Sequence, residues 1–320
     1  MNTKKSRARI LLGASALASA FSFANSALAV EGGLGRPISG ATIGPYAAVI
    51  PPEPGLAVAV GEAYYTGSIS GAIPIGNFNL QLGISTNVSF TPISALYIWP
   101  TKCKQWNFAS TISLPLAYVE AEAEVTLGPI TRRVTDRTFG LFDVVFTPII
   151  VSYHISATDH FAWSFTVWAP SGKYDPNRLA NLSLNNWTFI PGVAYTKIFP
   201  KSGIEIDGIW QLQFYTENPE TNFENGILSD MEFMAVKRFG EAFGIGVIFS
   251  CIDQFSDDSG AAADRFNGFR GHDFGIGPII TYSTKLGKSH LDMNARFIPE
   301  FGSVKRIQGN LFQFGASLKF

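Results

Sequence analysis

From Gln308 to Phe320 the chain reads QGNLFQFGASLKF, and counting back from its last residue every second side chain is apolar: Phe320, Leu318, Ala316, Phe314 and Phe312. Lys319, Ser317, Gly315 and Gln313 fall between them, and only Leu311 breaks the series. Successive side chains leave a strand on opposite faces, so this segment is a strand with one apolar and one polar side. The pattern recurs in 203–217, where Ile204, Ile206, Trp210, Leu212 and Phe214 oppose Glu205, Asp207, Gln211 and Gln213. It recurs again where Leu291, Met293, Ala295 and Phe297 oppose Asp292, Asn294, Arg296 and Glu300. A soluble sandwich could put the charged set in water. The apolar set, however, returns in nearly every strand with aromatic ends, as in Phe161, Trp163 and Phe165 or Phe243 and Phe249. Facing lipid, each carboxylate would cost up to several kcal/mol near the bilayer midplane, so the charged set points into a polar lumen. The fold class that follows is all-β, a transmembrane antiparallel up-and-down β-barrel.

The amino-terminal residues fit export. Lys4, Lys5, Arg7 and Arg9 precede a short apolar run, and Ala27-Leu28-Ala29 has the form of a cleavage site, so residues 1–29 are predicted to be a signal peptide. The run is too short and too rich in small polar residues for a membrane helix, and no later stretch is long enough. A mean hydropathy of +0.16 with 15% charged residues is apolar for a soluble exported protein, and 27 Phe with 31 Gly suit lipid-facing aromatics and a crowded interior. Near balance of 24 basic and 25 acidic residues offers nucleic acid no footprint. Two cysteines make no disulfide framework: Cys103 falls in a predicted turn and Cys251 in a predicted strand, and both are read as unpaired.

Residues 30–55 hold too much Gly and Pro for a regular element, and form either a periplasmic lead-in or a segment folded back into the barrel as a plug. From 56 to 320 the barrel is predicted as about twelve strands, with 10–14 possible: 56–68, 77–91, 106–118, 139–153, 159–169, 186–199, 203–217, 226–239, 243–256, 270–284, 289–302 and 307–320. The stretch 118–127 could continue the third strand above the membrane. Connections at 154–158, 200–202, 240–242 and 285–288 are short inside turns, and 119–138, 170–185, 218–225 and 257–269 are outside loops. Two connections fit less well, a long inside one at 92–105 and a short outside one at 303–306.

The loop 170–185 is the candidate constriction. It carries Tyr174, Asp175 and Arg178, with Trp187 at its exit, and aromatic rings there could stack a planar solute. The plainer alternatives are an ordinary turn at Tyr174-Asp175-Pro176 and an interface-belt role for Trp187. Asp143, Glu205, Asp207, Asp230, Glu232, Asp292 and Glu300, with Arg238 and Arg296, are the predicted lumen-facing charges, either a selectivity field or cross-strand ion pairs that stiffen the wall. Asp257, Asp258 and Asp264 lack fixed ligand spacing and read as a solvated acidic loop, so no metal or cofactor is expected. His154, His160, His272 and His290 have no nucleophilic Ser or Thr that spacing assigns to them, which disfavours a hydrolase.

Several blocks resemble a known family. Pro170–Pro191 (PSGKYDPNRLANLSLNNWTFIP), TENPETNF at 216–223, DDSG at 257–260 and GHDFGIGPIITY at 271–282, with EGG at 31–33 and PPEPG at 51–55, are similar to the outer-membrane family named for the meta-pathway of phenol degradation. Members commonly show Pro-Thr-Gly-x-Tyr where this chain has Pro170-Ser171-Gly172-Lys173-Tyr174. The resemblance implies an outer-membrane barrel, a transporter linked to aromatic catabolism, and it brings no catalytic motif. The closing Phe320 resembles the signal that such barrels present to the barrel-assembly machinery. The expected function is passive passage of small hydrophobic or aromatic molecules through the bacterial outer membrane, without a cofactor. A structural or adhesive barrel without transport is the alternative, and an outer-membrane hydrolase is less favoured.

Overall fold

The computed structural model describes residues 35–320 apart from 76, 77, 104, 241, 266 and 288, and gives the backbone alone at 72–75, 78–80, 262, 265 and 267. The predicted signal peptide lies outside the described residues. Thirteen strands follow in chain order: β1 (Gly55–Ile75), β2 (Phe78–Ile98), β3 (Trp106–Leu127), β4 (Ile130–Leu141), β5 (Val144–His154), β6 (Asp159–Ala169), β7 (Thr188–Phe199), β8 (Ile204–Tyr215), β9 (Leu228–Phe239), β10 (Phe243–Gln254), β11 (His272–Leu286), β12 (Ser289–Val304) and β13 (Gln308–Lys319). Each pairs antiparallel with its neighbour, and β1 pairs with both β2 and β13, which closes the sheet. Closure leaves no sheet edge in the hydrocarbon, the condition a β structure must meet to span a bilayer.

The barrel has twelve staves because β4 and β5 share one. β4 pairs with the far half of β3 (Leu116–Leu127), and β5 with its near half (Trp106–Ser113). The single strand predicted at 139–153 is therefore broken at Phe142 and Asp143, where the Phe142 N–H turns back to Pro115 O at 2.8 Å. Two predicted connections also prove to be strand. The outside loop expected at 119–138 is the tip of a β3–β4 hairpin, turned at Gly128 (φ 59°) and flanked on its outer face by Arg137–Glu120 and Arg133–Glu124 pairs. The long inside connection expected at 92–105 is shortened because β2 runs on to Ile98.

The outer face carries two aromatic levels. In register near the turn end lie Trp106, Tyr153, Phe161 and Tyr195; toward the loop end Tyr64, Tyr118 and Phe139 are aligned across β1, β3 and β4. Between them Val58, Val60, Ile93, Ile112 and Leu114 are exposed, an apolar band that lipid covers. Among the described residues no helix is long and apolar enough to cross a membrane; strands do the crossing. Among the described residues the one α-helix, α1 (Ala261–Arg265), lies in an outside loop.

Candidate functional site: the lumen and the segment inside it

The described part of the Gly/Pro-rich segment, residues 35–54, runs along the inside of the barrel from the loop end to the turn end before it enters β1. Its backbone follows turns, with Gly40 at φ 73°, and so leaves many N–H groups without partners in its own chain. The wall supplies the acceptors. Glu300 Oε1 takes the Ser39 N–H at 3.4 Å, and Asp273 takes the Ser39 hydroxyl at 2.7 Å. Glu232 takes the N–H groups of Thr42 and Ile43, the latter at 2.6 Å. Glu205 takes Tyr46 N–H at 2.7 Å, Asp207 takes Ala47 N–H at 3.0 Å, and Thr196 Oγ1 takes Ala48 N–H at 3.0 Å. In return Arg296 donates to the carbonyls of Gly40 and Ile43, and Arg306 to that of Pro37.

At the middle of this ladder the contact is apolar. Ile43 is buried in one cluster with Ala63, Tyr65, Met234, Val236, Ile248, Ile298 and Leu311, all from the inner face of the wall. Charged and apolar inward side chains thus alternate to match the polar backbone and the apolar side chain of one threaded segment.

The loop end of the segment is held by Arg36. Its Nη1 donates to Asp143 Oδ2 at 2.7 Å, Nε to Thr188 Oγ1 at 3.1 Å and Nη2 to Asn186 O at 3.2 Å. The guanidinium lies 4.9 Å from the Trp168 ring centre and 6.0 Å from that of Phe142, and these two rings pack with Phe90. Both members of the ion pair are buried. At the turn end, Ser152 Oγ donates to Ala48 O at 2.6 Å, and His154 Nε2 lies 3.2 Å from Ile50 O. His154 and His160 meet Nδ1 to Nδ1 at 2.6 Å beside a recess of about 480 Å³ lined also by Val49, Pro52 and Gln105.

The sequence-derived lumen charges fall on the inner side of the wall. Asp143, Glu205, Asp207, Asp230, Glu232, Arg296 and Glu300 are buried, Arg238 is partly covered, and Asp292 sits exposed at the turn-end mouth with Ser283 as its partner at 2.6 Å. Arg238 pairs with Glu205 at 2.5 Å and lies over the Tyr46 ring at 4.5 Å. Two further inward charges, Asp273 in the predicted strand 270–284 and Arg306 in the predicted connection 303–306, were not singled out from sequence.

The loop 170–187 spans the mouth. Leu179 and Ala180 pack on Ala121 of the β3 extension, while Leu184 reaches Tyr215, Leu228 and Ile252 at the ends of β8, β9 and β10. Arg178 pairs with Asp136 at 2.6 Å, and its guanidinium is held above its ordinary pKa chiefly by that hydrogen bond. Asp175 Oδ1 accepts from Asn177 N–H at 2.9 Å and so fixes a tight turn, beside which Tyr174 is half-buried. The expected constriction residue Trp187 is corrected by its position: it stands exposed on the outer face, stacked on Phe189 at 6.4 Å, because β7 begins one residue later and parity turns Thr188 inward instead. In the other loop, Asp258 Oδ1 is taken up by Gly226 N–H and Gln254 Nε2, and among the described residues no three metal-binding side chains converge. Cys103 and Cys251 are free thiols.

A solved structure with the same architecture is the COG4313 outer membrane channel from Pseudomonas putida F1, at TM-score 0.68 and 14% identity over 87% of this chain and 100% of that one. The β-domain of the Bordetella autotransporter BrkA (TM-score 0.46, 9% identity, 83% and 98% covered) and the CymD monoaromatic hydrocarbon channel (TM-score 0.41, 8% identity, 91% and 97% covered) are more distant and add nothing to the fold assignment. No curated protein matches the sequence. The family described as "Putative MetA-pathway of phenol degradation" matches residues 71–315, which is the barrel apart from most of β1 and the end of β13, and the chain, a closed β-barrel, belongs to this family.

Proposed function

We propose that the protein is a passive outer-membrane passage for small hydrophobic or aromatic solutes, shut in the described state by residues 35–54. One observation supports it above the others. The lumen is filled by a separable stretch of chain, bound to the wall through side-chain-to-backbone hydrogen bonds. A barrel of this size closed by its own side chains would be a structural post; one closed by a segment becomes a conduit when the segment shifts. The solute class rests on the family's link to phenol degradation and on the aromatic corner Phe90, Phe142 and Trp168 in the mouth. No cofactor enters this reading, and catalysis has no support in it: among the described contacts His154 meets His160, Asn107 and Ile50, and His272 packs on Phe274. Export through residues 1–29 and presentation of Phe320 to the assembly machinery belong to the same proposal.

The test is single-channel recording of the refolded mature protein in planar bilayers, with and without phenol or toluene. Rare or small steps in wild type, enlarged by removal of 35–50 and blocked by the aromatic, are expected. A silent barrel in both forms, correctly folded, would leave the structural or adhesive alternative.

A further inference from the structure

The pocket that receives Arg36 is built by the wall and the mouth loop, and its members also hold one another. Asp143 holds its position through three backbone N–H groups of the loop, Ser171 at 3.1 Å and Gly172 at 3.0 Å on Oδ1 and Leu184 at 3.2 Å on Oδ2. Thr188 and Asn186 are joined to each other at 3.2 Å, and Trp168 and Phe142 pack edge to face at 6.2 Å. What remains when Arg36 is subtracted is a carboxylate and three oxygen acceptors, Thr188 Oγ1 and both oxygens of Asn186, around a slot with an aromatic ring on its face. That arrangement reads a planar group with N–H donors along its edge and a positive charge spread over its plane.

We infer that this pocket is a solute site for small planar cations, amidinium or guanidinium groups carried on an aromatic or alkyl body, and that Arg36 is its tethered occupant. The charge follows from burial. Asp143 is wholly enclosed, and a neutral phenol brings a single donor and no countercharge to it, whereas an amidinium supplies paired donors and the charge that Arg36 now supplies. The wall adds to the selection, since its buried carboxylates outnumber its buried arginines. This inference rests on the reading of the lumen as a passage and adds, to the aromatic solutes proposed for it, those with a planar cationic head.

The tether sets the expected numbers. An attached ligand competes at an effective concentration in the millimolar range or above, so free cation binds wild type weakly and binds a chain without Arg36 on the order of 10–100-fold more tightly. The experiment is calorimetric titration of benzamidinium and, in parallel, phenol into the folded, detergent-solubilised barrel as wild type, Arg36→Ala and Arg36→Ala/Asp143→Asn. Expected is about one benzamidinium per Arg36→Ala barrel, a loss of at least about tenfold with Asp143→Asn, and no preference of phenol for either variant. Equal benzamidinium affinity in wild type and Arg36→Ala overturns the inference, as does indifference to Asp143→Asn. If the variants do not refold, hydrogen exchange on wild type decides: millimolar benzamidinium, and not phenol, should speed exchange at the Ile43 and Ala47 amides, and no change overturns the site. Because binding is measured without conduction, tight binding to a silent barrel supports the site while sinking the passage, and conduction without binding does the reverse.

Discussion

Asp143 bonds Arg36 at 2.7 Å while holding the mouth loop by three backbone N–H groups, so one carboxylate ties the internal segment, the loop and the break between β4 and β5. Removing either partner of a buried pair strands the other's charge, at about 3–5 kcal/mol. Arg36→Ala and Asp143→Asn should each lower the thermal midpoint of the barrel's mouth and raise open-channel frequency, and the double variant should fall short of the sum. Additive losses in a double-mutant cycle would show that the two residues act separately.

The carboxylate ladder makes a second prediction. Glu232→Ala leaves the Thr42 and Ile43 N–H groups without acceptors, and charge-assisted bonds of this kind contribute about 1.5–3 kcal/mol. Exchange of those two amides should accelerate by roughly tenfold or more while exchange in β13 stays slow. Uniform acceleration would mean that the whole barrel, not the segment, had loosened.

Ile43 is the apolar centre of the interior, so Ile43→Ala should cost about 2–5 kcal/mol, the range for deleting a large buried aliphatic group. Denaturant titration of the detergent-folded barrel would read it. A change near zero would show that the segment does not pack against the wall in solution.

At Gly172 a Cβ would come within 1.9 Å of Leu182 O, a backbone atom that cannot step aside, so Gly172→Ala must open the loop. Conductance steps in that variant should approach those of a 172–184 deletion. Trp187→Ala, on the lipid side, should leave conductance unchanged; a change there would place the ring in the path after all.

Much of this was legible because period 2 is a strong signal where one face must be greasy and the other wet. Glu205 and Asp207 beside Ile204 and Ile206 give the inward face of β8 at once. The break at Asp143 was not legible, since a stave that bends keeps its alternation on both sides of the bend. The extension of the third strand through 118–127 was legible as one of two readings, and Glu120, Glu122 and Glu124 prove to be the solvated outer face of β3, while its return partner β4 read as loop. Leu311 is the instructive case. It breaks the alternation of the last strand because its inward side chain is buried in the cluster around Ile43 and meets no water. Likewise Ile209, Ile248, Ile279 and Ile298 point inward, and a wet lumen would have no use for them. Such inward aliphatics are the sequence trace of a segment inside, visible only once inner and outer parity have been fixed.

The threaded segment also imposes an order of events. Residues 35–54 lead directly into β1, and the sheet closes only when β13, the last strand to be made, finds β1. The carboxylates that receive the segment come from β8, β9, β11 and β12, all before that closure. A barrel sealed empty would have to pass a buried arginine and a bulky aliphatic through its mouth, so the segment serves as a mandrel: the sheet is wound around the residues that lead into its first strand, and the seam is the final step.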